Sequence, residues 1–211
     1  MEPPRRFVAS LLGAYLLWFA VLAVGPYNRA VWWAENLPIL LIVGSLGVLW
    51  NRGIHFSRWA YGLMAVLVFL HTLGGHYTFE RVPFGWVQEA LGFERNHFDR
   101  VAHFSVGFYA FAIEETLHRR KLVTRPWVAM AFGIFAIGTV AAVYEIIEWL
   151  YAVKDGGEAG AAFLGSQGDV WDAQKDMLCD ITGAVVVTAF WYLRNGRVGA
   201  FGEAAGASIG R

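Results

Sequence analysis

Charge is scarce in this chain. Asp, Glu, Lys and Arg make up 16% of its 211 residues, against 57% hydrophobic types. A soluble domain of this size carries about 25% charged residues. The composition therefore excludes a soluble domain with a large core and points to a membrane protein. Net charge is missing too, because 17 basic side chains balance 17 acidic ones. That balance leaves no basic footprint for nucleic acid. Cysteine is almost absent: Cys179 stands alone. An intrachain disulfide is thereby excluded, and Cys179 reads as a small packed thiol. The sequence also lacks a Ser/His/Asp set in convincing context, a phosphate loop, a dinucleotide fingerprint and any repeat unit.

Apolar length is what it does have. A spanning helix needs about 20 apolar residues, and six stretches qualify, at 7–24, 32–50, 58–75, 99–118, 127–150 and 173–193. The first follows Arg5 and Arg6 but is long for a signal peptide and lacks a clear cleavage site, so it reads as a retained helix. Trp32, Trp33, Trp50, Trp59, Trp127, Trp149, Trp171 and Trp191 fall near the predicted ends, where aromatic belts form. The expected fold is an all-α integral membrane protein. It is a single six-transmembrane-helix bundle over residues 1–197, with a disordered cytoplasmic tail at 198–211.

Basic residues orient the bundle. With the N-terminus inside, eleven of the seventeen Lys and Arg fall in inner segments, four of them between Arg119 and Arg125. Both termini are then expected in the cytoplasm. Two longer loops face outward. The loop from Gly75 to Phe98 contains Pro83 and is expected to hold a short interfacial helix near Trp86–Leu91. The loop from Tyr151 to Asp172, rich in glycine (Gly156, Gly157, Gly160, Gly165, Gly168), is expected to act as a flexible lid.

Ionisable residues break this apolar pattern in three places. They are Asp99 with His103, Glu145 with Glu148, and Asp169, Asp172, Asp176 and Asp180. An ionisable group at the centre of a membrane helix costs roughly 2.5–3.5 kcal/mol on insertion scales, so each needs something that offsets it. The expected orientation puts all of them in the outer half. Spacings of three and four align each set on one helix face. Asp172, Asp176 and Asp180 make an acidic stripe about 12 Å long at ~1.5 Å per residue. Carboxylates so placed repel one another and call for cations. Arg100 and Lys175 are expected to point off these faces.

Three explanations stay open at this level. In the first, Asp99, His103, Glu145, Asp176 and Asp180 hold a divalent metal such as Zn, Mn or Mg, and Glu148 or Asp172 is the general base. In the second, the groups form an ion-pair and proton-sharing network that fixes helix packing. In the third, they relay protons or substrate. Other polar residues read more simply. Glu114 and Glu115 are expected to pair with the basic loop, His55 and His118 to lie at the interface, and His71 to be a packing histidine. His76 lies nearer the site, Tyr144 is a belt residue able to donate a hydrogen bond, and Gly133 and Gly138 are helix-packing positions.

Several runs resemble known membrane families. Asp99-Arg100-Val101-Ala102-His103-Phe104, Glu145-Ile146-Ile147-Glu148 and Asp172 through Gly183 are distantly similar to motifs of VanZ-like proteins. Glu148 stands where those proteins carry Gln, and Asp180 where they carry Asn. The closer resemblance, over nearly the whole chain, is to the YjdF-like family of uncharacterised bacterial inner-membrane proteins. It includes His76-Tyr77-Thr78 and Gln167-Gly168-Asp169-Val170-Trp171-Asp172. The resemblance implies a six-helix protein of the bacterial inner membrane. The VanZ-like motifs imply envelope or lipid-linked chemistry. Together with the polar cluster they suggest a metal-dependent hydrolase or transferase working on a lipid or lipid-linked substrate, with membrane lipids as partners. A proton-coupled transporter and a structural or accessory subunit are the alternatives.

Overall fold

The computed structural model describes residues 4–155, 157, 160, 164 and 166–195. Regular structure among them is all helical: α1 (Arg5–Leu22), α2 (Arg29–Asn51), α3 (Arg58–Tyr77), α4 (Gly85–Leu91), α5 (Phe98–Val106), α6 (Tyr109–Arg119), α7 (Pro126–Asp155) and α8 (Asp172–Asn195). Local chemistry sets several boundaries. The Asn28 side chain accepts from the backbone N–H of Ala30 and Val31 and so starts α2. Ser57 does the same for Ala60 at the start of α3. At the other end of α3, Thr78 adopts the left-handed conformation, φ 58°, and terminates it. Inside α2, Pro38 leaves the carbonyl of Ala34 without its helical donor.

α1, α2, α7 and α8 are each long and apolar enough to cross a membrane. Large side chains on them face outward, including Leu17 at 68% exposure, Phe135 at 72% and Leu193 at 55%. Apolar surface of that extent requires a lipid environment rather than water. Helix α3 sits in the middle. It packs against α1 and α2 on one side and α5 and α6 on the other, and α8 then packs on α5, α6 and α7. Tyr61, Met64, Phe111, Ile137 and Trp191 share one core cluster. Another, built from Phe79, Val82, Phe98 and Ala102, lies under the 75–98 loop.

Residues 99–118 differ from expectation. The chain does not run through as one helix. It tightens at Gly107–Phe108, where Phe108 N–H donates to Ser105 (3.1 Å) and Ala110 N–H to Gly107 (3.0 Å). These three-residue steps separate α5 from α6. They lie where α8 presses closest. A Cβ on Gly107 would come within 2.1 Å of Ala184 N, and one on Gly183 within 1.9 Å of Phe104 O. Glycine at both positions permits this near backbone contact.

The aromatic belt also needs correction. Trp32 and Trp191 are core residues, 0% and 1% exposed, whereas Trp33, Trp59, Trp127, Trp149 and Trp171 are exposed. The short helix near Trp86–Leu91 is present as α4. The two longer loops are joined. Asn96 N–H donates to the Gln167 side-chain oxygen, and the Gln167 amide donates back to the Asn96 carbonyl, both at 3.0 Å. Arg95 adds a bond to the Ser166 carbonyl. The described end of the glycine-rich loop is therefore tied down. Residues 151–155 of the expected lid instead extend helix α7, and its residues 156, 158, 159, 161–163 and 165 lie outside the described residues, as does the 198–211 tail.

Candidate functional site

The Gly107–Gly183 contact brings α5 against the first turns of α8, and this closeness assembles the site. The His103 ring lies between the two helices. On one side its Nδ1 is 3.3 Å from both carboxylate oxygens of Asp180. On the other, its Nε2 lies 3.6 Å from Asp99 Oδ1 and 3.7 Å from Asp176 Oδ1. Asp99, His103 and Asp176 thus offer ligand atoms that all lie within 4.8 Å of one another, and the group could hold a metal ion. A tetrahedral ion with bonds of ~2.0–2.1 Å sets its ligand atoms ~3.3–3.4 Å apart. The two separations from His103 Nε2, 3.6 and 3.7 Å, lie close to that.

Cations balance part of the acidic stripe. Arg100, expected to point away, instead turns onto α8 and hydrogen-bonds both Asp172 and Asp176. Arg95 binds Asp172 from the loop side at 2.7 Å. The sequence hides this because Arg100's direction depends on where α8 lies. Lys175 donates to Asp169 at 2.6 Å, and Trp171 N–H adds a bond at 3.1 Å. The Lys175 bond foremost, then the Trp171 bond and the Lys175 and Arg100 charges, hold the Asp169 carboxyl below its usual range. His97, beside the site, is pushed below the ordinary histidine value, first by burial and then by the charges of Arg95, Arg100 and Lys175.

Helix α7 supplies the third wall. Glu148 is buried and points into a cavity of about 450 Å³ that Asp99, His103 and Asp180 also line. It makes no hydrogen bond or ion pair with another described residue. Glu145 lies within electrostatic reach of His103, Asp176, Asp99 and Asp180, and its Oε1 is buried without a hydrogen-bond partner. The structure therefore brings Asp99, His103, Asp176 and Asp180 into contact. It sets Glu145 and Glu148 beside them, and holds Asp172 between two arginines.

Glu35 belongs to the same cavity and escapes a reading by spacing. It is the lone acid in the apolar run of α2, 2% exposed, with His71 Nε2 3.0 Å from its carboxylate. Tyr144 donates to Glu35 at 3.3 Å. The signal in the sequence is the Glu35-Asn36 pair inside the apolar 32–50 run. His71 thus faces a buried carboxylate and is not only a packing group. His76 faces elsewhere, its Nδ1 2.7 Å from the Leu22 carbonyl. Glu115 does pair with Arg119. Glu114 does not reach the basic loop: it is fully buried and accepts from Thr188 on α8.

The cavity's remaining walls are apolar. Leu41 and Ile42 of α2, Ile113 of α6, and Ile137 and Val140 of α7 are among them. Since α2 packs on α3, and α7 on α6 and α8, the space between α2 and α7 is the cavity itself. An amphiphile with a polar head and an apolar chain matches this two-part lining.

A family model described as "Predicted membrane protein (DUF2238)" matches residues 7–197. "Inner membrane protein YjdF" of Escherichia coli (strain K12) is 32% identical over 173 residues, covering 79% of this chain and 80% of the relative. These findings bear out the YjdF-like resemblance; the more distant one to VanZ-like proteins is not shown by them. No solved structure matches.

Proposed function

The chain belongs to the DUF2238 family of predicted membrane proteins, and from that premise we propose that it binds a membrane amphiphile and acts on its head group. The observation that carries this is the cavity: apolar between α2 and α7, and lined at one end by Glu35, Asp99, His103, Glu148 and Asp180. The chemistry proposed is metal-dependent hydrolysis or transfer on a lipid or lipid-linked substrate. Asp99, His103 and Asp176 hold the divalent ion, with Zn, Mn and Mg as candidates. Asp180 is a positioning residue. With the ring proton on Nδ1, His103 donates it to Asp180, which leaves the Nε2 lone pair facing Asp99 and Asp176. Arg100 fixes the Asp176 carboxylate through Oδ1, the oxygen that also faces the His103 ring. The metal supplies Lewis-acid polarisation of a phosphoryl or acyl oxygen, or a water of lowered pKa. Glu148 is the base, since its carboxylate is free to take a proton while Asp172 is held by both arginines. Glu145 completes the acidic wall.

In this reading the protein has six spans. Helix α3 and the broken α5–α6 pair cross beside α1, α2, α7 and α8, both termini are cytoplasmic, and the site opens toward the outer leaflet. Metal content tests it. Protein purified without chelator should carry Zn, Mn or Mg, and Asp99→Asn and Asp176→Asn should lose it while still folding. Metal-free wild type that cannot be reloaded would overturn the proposal. That result would favour the second reading, an ion-pair network that sets the fold of an accessory subunit. The grip of Arg95 and Arg100 on Asp172 supports that alternative.

A further inference from the structure

A second cavity lies between α1, α2 and α3, at the end of the bundle away from the acid site. It encloses about 710 Å³, and Leu12, Leu46, Gly47, Trp50 and Met64 are among its walls, with Arg5 at its rim. Helices α1 and α2 each pack on α3, and the groove is the space left between them. Its walls are mainly apolar, Arg5 is the basic residue among them, and three more arginines neighbour its lining in sequence. Arg5 and Arg6 begin α1, Arg52 follows α2, and Arg58 begins α3. All four are exposed, and none forms an ion pair among the described residues. Arg95, Arg100 and Lys175 at the opposite end, and Arg119 with Glu115 at this one, do have carboxylate partners. An apolar slot under unpaired guanidinium groups has the chemistry of a phosphodiester head attached to acyl chains.

We propose that this groove is a specific site for an anionic glycerophospholipid, with an acyl chain between α1 and α2 and the phosphate among Arg5, Arg6, Arg52 and Arg58. The site stands apart from the acid cavity and does not depend on its chemistry. Gly47 gives a clean steric probe, since a Cβ there meets nothing within 4 Å. Gly47→Phe should place its ring in the slot, starting from a Cβ that meets no neighbour.

The test uses the full chain in nanodiscs of equimolar phosphatidylglycerol and phosphatidylethanolamine, released into detergent, with retained lipid counted by native mass spectrometry. Wild type should retain phosphatidylglycerol preferentially. Gly47→Phe should lose the retained lipid of both kinds. Arg5→Gln and Arg52→Gln, exposed substitutions that leave the fold intact, should each cut the phosphatidylglycerol preference about fivefold, the effect of ~1 kcal/mol per basic residue near an anionic head group. Retention without head-group preference in wild type, or a preference unchanged in both arginine variants, would overturn the proposal. So would a folded Gly47→Phe protein that retains lipid as wild type does.

Discussion

Gly183→Ala should damage the fold and the site together. The new methyl would start 1.9 Å from the carbonyl oxygen of Phe104. Side-chain carbons essentially never approach within 3.0 Å, so α5 and α8 must part by at least 1.1 Å, the difference between those two distances. Overpacking of this kind costs about 1–3 kcal/mol. Phe104 directly follows His103, whose Nδ1 lies 3.3 Å from Asp180 across the same seam. Separation carries that contact past hydrogen-bond range. Gly138→Ala is the matched control, because its Cβ would meet Ile181 at an ordinary 3.7 Å. Relief of glycine's backbone entropy makes that change neutral or stabilising by about 0.5–1 kcal/mol. Thermal unfolding of both variants in the same micelles, followed by helical circular dichroism, gives the comparison. Two variants of equal stability would refute the claim that glycine contact sets the α5–α8 distance.

Two further outcomes follow from the charged groups. Arg100→Met leaves Asp176, whose side chain is 3% exposed, buried without its guanidinium; the loss should be about 3–5 kcal/mol, and Arg100→Met with Asp176→Leu should recover much of it, both read by thermal unfolding. His97 has a folded-state pKa below its unfolded value, so its contribution to stability is present above pH ~6.5 and is lost as the pH falls through its folded value. Wild type should therefore lose more stability on acidification than His97→Gln does, and parallel melting curves from neutral to mildly acidic pH would contradict this.

The helices and the alignment of the acids were legible in the sequence because both rest on short-range periodicity. Helix α8 runs over Asp172–Asn195 where apolar length suggested 173–193, and Asp172, Asp176 and Asp180 are all buried on one face. What escaped depends on how helices meet. The turn at Gly107 is hidden because the 101–113 run is apolar apart from His103, Ser105 and Tyr109, and α8's backbone lies against the break. Arg100's direction and the burial of Glu35 are likewise set by neighbours far along the chain. Trp32 and Trp191 sit near helix ends, as belt residues do, but face inward, Trp32 against Phe19 and His76 and Trp191 against His118.

Manganese(II) bound to chelator-treated protein tests the central claim most directly. Pulsed electron paramagnetic resonance should detect coupling to an imidazole nitrogen in wild type, and that coupling should vanish in His103→Gln. Manganese that stays fully hydrated beside the wild-type protein, or nitrogen coupling that survives the substitution, would contradict a metal held by Asp99, His103 and Asp176.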